Sequence, residues 1–212
     1  LEHNSVLRPV HRLYERGIVT YDVALVNPLS DIETVRNFEK LINERTTLVV
    51  CTFVSNVFGT VLPVREIASL CRKRGIRFIL DGAQGAGAFK IDMKKDNIDI
   101  LCVPCHKGLF GPMGTGALLL NENVELESST EGGTGSFSLQ KKQPDVMPDK
   151  LESGTANLPG IAGVYEGISF VENFGGEKAV HDKEMYLADI LREDLSVMKR
   201  VVSFGSMQGK VS

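Results

Sequence analysis

Four short apolar runs set the strongest limit on what this chain can fold into: TTLVVCTF (46–53), IRFIL (76–80), ILCV (100–103) and GALLL (116–120). Each is too short for a buried helix, and β-branched residues are dense in the first, so all four read as strands. Between the first two lies a helical segment. Val64, Ile67, Leu70 and Cys71 form its inner stripe, Pro63 suits its first position, basic residues fill its last turn, and Gly75 ends it. Upstream, Ser30 and Glu33 have the spacing of a capping box and open a helix with Ile32, Val35, Phe38, Leu41 and Ile42 on one face. VTYDVALV (19–26) reads as a further strand, and VLRPVHRLYERG (6–17) as a helix with Leu7, Val10, Leu13 and Tyr14 on one face. Pro9 fits that helix only near its first turn, and Gly17 stops it.

Strand and helix thus alternate from about residue 18 to 80, which implies parallel strands joined by right-handed helical crossovers. ILCV and GALLL break the rule. About ten residues separate them, near the lower limit for a crossover with a helix, so one of the two is expected to run antiparallel. From 121 to 159 the composition turns to Gly, Ser, Thr, Lys, Gln and Pro, which reads as loop, although EGGTGS and ESGTANLPG are unusually specific for loop sequence. Two helices follow, over 160–176 and 180–200, and VVSFGS (201–206) reads as the start of a strand in another sheet. The fold class is therefore α/β, divided into 1–158 and 159–212.

Composition removes several function classes. A net charge of −3 with both signs interspersed gives no basic stripe for nucleic acid. No apolar run approaches a membrane span. Of Cys51, Cys71, Cys102 and Cys105, the last two make one CxxC with no second pair to complete a zinc site, and all four read as reduced, cytosolic thiols. Opening on Leu1 and stopping at GKVS, the sequence reads as a piece of a longer chain.

Open α/β sheets bind ligands beyond the carboxyl ends of their strands. Three strands here end in polar residues: TTLVVCTF in Ser55-Asn56, IRFIL in Asp81 and then Gln84, ILCV in His106-Lys107. Singly, each reads as a turn residue or a solvated side chain. Together, at neighbouring strand ends, they read as one crevice. A lysine amine can form a Schiff base with a carbonyl cofactor, and a carboxylate can keep a pyridine nitrogen protonated. No P-loop and no GxGxxG after a strand supports a nucleotide.

EHNSVLRP, VSNVFGT, DGAQGAG, CHKGLFGPMGTG and ESGTANLPG occur in the order found in class V aminotransferase-like enzymes dependent on pyridoxal 5′-phosphate (PLP), and the sequence most resembles their cysteine desulfurase branch. The resemblance implies the three-layer αβα large domain of PLP fold type I, a mostly parallel sheet, and a homodimer. It implies that Lys107 forms the internal aldimine, Asp81 partners the pyridine nitrogen, and Gln84 bonds the phenolic oxygen. His3 stacks on the ring and moves protons, so Lys107 and His3 are the catalytic pair. His106 meets the phosphate, and Asn56 lies near the substrate and the phenolic oxygen. Gly154 and Thr155 reach the phosphate in the partner subunit. L-cysteine is the implied substrate and a sulfur-acceptor protein an implied partner. Selenocysteine lyase activity, another class V activity, and a PLP-binding scaffold without turnover stay open. Two positions depart from the pattern: Pro104 and Cys105 replace a small hydroxyl residue and a glycine. The persulfide-forming cysteine, the substrate-binding arginine and an N-terminal phosphate loop have no counterpart here.

Overall fold

The computed structural model describes residues 1–202. Nine elements follow in order: α1 Asn4–Glu15, α2 Asp31–Leu41, β1 Leu48–Thr52, α3 Val64–Lys73, β2 Arg77–Asp81, β3 Ile100–Pro104, β4 Gly116–Leu120, α4 Leu158–Phe174 and α5 Gly176–Ser196. The strands form one sheet in the order β1-β2-β3-β4. β1, β2 and β3 are parallel, and β4 returns antiparallel to β3, as the short connection requires.

Register decides where the core lies. Val49 pairs with Phe78 and Cys51 with Leu80, and Leu80 pairs with Leu101. Side chains alternate across a strand, so these residues and Val103 share one face. All are buried there against Val64, Ile67, Ala68 and Cys71 of α3. Each large side chain removed from water contributes about 2 kcal/mol. Toward β4 this packing thins, and Leu118 and Leu119 are exposed.

α2 begins where the capping box places it: Ser30 Oγ accepts the Glu33 N–H at 3.1 Å. Its inner face is turned from the expected one. Ile32 and Leu41 are exposed, and Thr34 is the buried residue, while Val35, Phe38 and Ile42 pack on the core. Thr34 tolerates burial because its hydroxyl is satisfied, accepting from Asn27 N–H and lying 3.0 Å from Ser30 O. Pro63 sits one position earlier than expected, at the N-cap of α3.

Two further expectations fail. Residues 19–26 form no strand. The carbonyl of Leu25, near the end of this segment, accepts from the Asn37 side chain of α2 at 3.0 Å, and just beyond it Asn27 N–H donates to Thr34. α1 starts at Asn4, which puts Pro9 inside the helix rather than in its first turn. The helix tolerates it because no α1 residue is buried, and the Ser5 carbonyl that loses its donor belongs to an exposed residue. Leu7 and Tyr14 are accordingly exposed. The long segment 121–157 contains no helix or strand, as its composition suggests. The strand expected at 201–206 falls mostly outside the described residues.

Candidate functional site

β1 and β2 end on one rung, where Thr52 pairs with Asp81 and Asp81 with Cys102, and β3 runs two residues past it to Pro104. Gly82 N–H extends the ladder by donating to Cys102 O at 2.9 Å. The Asp81 carboxylate then accepts the Ala83 N–H at 2.9 Å and starts a tight coil, with Ala86 N–H donating to Gly82 O and Phe89 N–H to Gly85 O. Gln84 lies half-buried on that coil.

β3 ends at Pro104. Cys105 N–H donates to Thr115 O at 3.1 Å, Gly111 N–H to Cys105 O at 2.8 Å, and Phe110 N–H to Lys107 O at 2.8 Å. The last bond closes a four-residue turn on Lys107. Phe110 holds a φ of 54°, a strained conformation for a bulky residue. Its ring packs edge-on against Phe170 of α4, centroids 5.1 Å apart. α4 approaches this loop through glycines: a Cβ on Gly167 would stand 2.2 Å from Leu109 O, and one on Gly163 2.9 Å from Pro112.

The two exit loops touch through backbone. A Cβ on Gly87 would lie 2.0 Å from Gly108 O, and one on Gly108 2.3 Å from Ala86 O. Beside this contact is a cavity of about 130 Å³ whose walls include Asn56, Gln84, Gly108 and, from α5, Glu184. α5 is anchored there by His181, whose ring lies 4.9 Å from that of Phe89. A recess of about 240 Å³ opens between Arg72, Lys94, Asn97 and Asp99, at the amino ends of the strands, the wrong end for ligand binding in such a sheet.

His106 and Lys107 are exposed, and neither side chain has a hydrogen bond or ion pair among the described residues. Asn56 and Gln84 both line the cavity beside Gly108, whereas Asp81, His106 and Lys107 do not. His3 caps α1, with Nδ1 accepting the Ser5 N–H at 3.2 Å, which leaves Nε2 free to carry the ring proton. Gly154 and Thr155 are exposed and do not line the cavity. Gly154 N–H donates instead to Gly133 O at 2.7 Å.

The sequence reading missed Glu2 and Glu184. Glu2 Oε1 accepts the Thr52 N–H at 2.7 Å, while Oε2 is buried without a partner. Burial pushes the Glu2 carboxyl above its ordinary range, and the charge of Asp81 adds to that push. Glu2 therefore ties the start of α1, with His3, to the rung that carries Asp81. Its place beside His3 in LEHN was the only available signal. Nothing local marks Glu184.

All four cysteines are free thiols. Burial raises Cys51 well above the usual thiol range, with the Glu2 charge adding. It pushes Cys71 up to about 11, with help from the Asp99 charge. Burial also raises Cys105, which is 2% exposed, and Cys102, which feels Asp81 as well. None has the electropositive, accessible setting of a reactive thiol.

A pyridine aldehyde with a phosphate arm asks for a primary amine, an acid for its ring nitrogen, and donors for its phenolic and phosphate oxygens. Lys107 offers an amine with no acid partner, Asp81 the acid, Asn56 and Gln84 the amides, and His106 a ring N–H. The residues present fit the group.

The sequence model of the Aminotransferase class-V family matches residues 1–211. A probable cysteine desulfurase of Methanothermobacter thermautotrophicus is 30% identical over 213 residues, covering 98% of this chain and 52% of the relative. The apo cysteine desulfurase of Thermococcus onnurineus NA1 superposes with a TM-score of 0.78 at 25% identity, over 98% of this chain and 52% of that one. SspA in complex with cysteine superposes with a TM-score of 0.65 at 27% identity, over 79% of this chain and 45% of that one. The chain spans about half the length of the curated relatives it matches. The α/β architecture with a mostly parallel sheet is that of PLP fold type I, which these structures share.

Proposed function

We propose that this chain, which belongs to the Aminotransferase class-V family, is the cofactor-binding part of a cysteine desulfurase that converts L-cysteine to alanine. The observation that supports the reading is that β1, β2 and β3 are adjacent and parallel, so their exits lie side by side, with exposed Lys107 next in the chain to Gly108 of the cavity wall. The names of the relatives support the reaction, and the SspA complex supports cysteine as substrate.

When bound, PLP supplies an electrophilic aldehyde and a ring that accepts electron density from a bond broken at the substrate Cα. The chain's residues do the rest. Lys107 presents its amine to the aldehyde and afterwards carries protons at Nζ. Asp81, fixed by the Ala83 N–H, keeps a proton on the ring nitrogen. Asn56 and Gln84 hold the phenolic oxygen, and His106 the phosphate. His3, whose Nδ1 accepts the Ser5 N–H, would use Nε2 to move protons. The sulfur acceptor is a thiolate other than the four here, which are raised by burial.

Further parts of the proposal follow from exposure. Gly154 and Thr155 serve the phosphate in a second subunit, and the exposed Ile161, Tyr165, Ile168 and Phe174 of α4 support a homodimer. Residues 1–158 belong to the large domain, and 159–212 lead from it toward a second. Four free thiols support a cytoplasmic location, and no helix among the described residues is long and apolar enough to cross a membrane.

The test is borohydride reduction of the PLP-loaded full-length protein, followed by peptide mapping. Label on Lys107 is expected. Label elsewhere, with Lys107 free, rules the assignment out. Asp81→Ala should keep the label but lower sulfide release from L-cysteine by about 10²-fold or more. A protein that releases selenide but not sulfide would instead be a selenocysteine lyase.

A further inference from the structure

EGGTGS, at residues 131–136, has no part in the crevice, yet it packs against the segment that carries Gly154 and Thr155. One side chain links the two. Gln143 Oε1 accepts the Gly132 N–H at 3.1 Å. Gln143 Nε2 donates to Asp149 O at 2.6 Å and lies 3.2 Å from Glu152 O. A single amide therefore joins three separate stretches of backbone. Gly154 N–H donates to Gly133 O at 2.7 Å one step away, and a Cβ on Gly132 would be 3.1 Å from that of Ser153. Across the loop, the Ser136 hydroxyl donates to the Asp149 carboxylate, and the Thr134 and Ser136 hydroxyls pair at 3.0 Å.

Apolar burial does not order this region: between 131 and 155 only Pro144, next to Gln143, is buried. Order must come from directed polar contacts that offset the entropy of fixing the loop. Glutamine alone among the common side chains has the required length, one acceptor and two donors. Glutamate keeps the acceptor but sets a second oxygen against two carbonyls, and methionine keeps only the length.

We infer that Gln143 is a positioning residue that holds Gly154 and Thr155 for the phosphate bound in the partner subunit. This rests on the role proposed above for those two residues. EGGTGS is the fixed strip against which the phosphate loop is laid, and Gln143 is its fastening.

The test uses the full-length protein with Gln143→Met and Gln143→Glu. In the cofactor-free state, amide exchange in peptides covering 131–135 and 152–156 should quicken about tenfold in both variants. PLP should bind about tenfold more weakly, the size of one or two lost hydrogen bonds. Mixed dimers then separate positioning from general damage. A dimer of one Lys107→Ala subunit and one Gln143→Met subunit has a single crevice with native Lys107 and a native loop from the other subunit. It should recover about half of wild-type sulfide release, by count of sites. Unchanged exchange, or a mixed dimer no more active than the Gln143→Met homodimer, overturns the inference. If the Met variant does not fold, the Glu variant carries the same measurements. Failure of the underlying reading is seen separately, as wild-type protein not labelled at Lys107 or binding PLP as a monomer.

Discussion

The Lys107 crevice and the 131–155 loop are held together in opposite ways. At the crevice, backbone lies on backbone: Gly87 against Gly108, and Gly167 of α4 against residues 109–111. In the loop, a few polar side chains bridge gaps that no apolar residue fills, chiefly Gln143, Ser136 and Asp149. A backbone contact has no rotamer to relax, so adding one carbon there is severe. A side-chain bridge can be cut with local consequences. The chain thus combines a rigid amine site with a loop whose order can be removed separately.

The largest expected effect comes from adding a carbon to the crevice. Gly87→Ala meets a carbonyl at 2.0 Å and must also hold a φ of 89°. It should cost about 3 kcal/mol or more of stability, measured by urea denaturation, and abolish PLP binding. A milder loss than that from Gln143→Met would break the comparison. Cys105→Gly takes atoms away at the same place. It should lower stability by about 1 kcal/mol through the emptied volume of a buried side chain, yet leave PLP affinity equal or better, because glycine is the residue the family pattern carries there. Weaker PLP binding would give the thiol a role of its own.

Glu2 sharpens the crevice side through pH. Its folded pKa is raised, so the native state binds this proton more tightly than the unfolded chain, and stability falls as pH rises from about 4.5 through the raised value. Glu2→Gln keeps an acceptor for Thr52 N–H and removes the buried charge. Its stability relative to wild type should therefore be higher at pH 7 than at pH 4.5, by denaturation midpoints, and the reverse order would place the carboxylate in a favourable site. The smallest effect belongs to the loop. Hydrogen bonding to Lys150 lowers the Asp145 carboxyl, and the same bond raises the Lys150 amine. That pair's contribution is present above the ordinary Asp value and is lost as pH falls through the lowered one. On the alkaline side it is present below the ordinary Lys value and lost as pH rises through the raised one. Both groups are solvated, so protease susceptibility of the loop should change only slightly in Lys150→Met, far less than in Gln143→Met.

A further measurement concerns turnover. The 212-residue polypeptide with added PLP should release no sustained sulfide from L-cysteine, because each of its four thiols is raised by burial. Turnover that disappears in Lys107→Ala would prove this wrong.

The amino-acid sequence by itself determined what depends on neighbours within a few residues. Ser30 and Glu33 set the start of α2, and apolar density set all four strands of the sheet. The short link between ILCV and GALLL set the reversal of β4. Tertiary structure decided what depends on groups far apart in the chain. Residues 19–26 have strand composition but no ladder, and the Leu25 carbonyl near their end bonds a side chain of α2 instead. Thr34 is buried in place of Ile32 because Asn27 satisfies its hydroxyl. Glu2 meets Thr52 fifty residues away, and α5 brings Glu184 to the cavity wall. Local pattern fixes which residues can turn inward. Which of them find a partner there depends on the position of every other element, and no run of neighbouring residues carries that information.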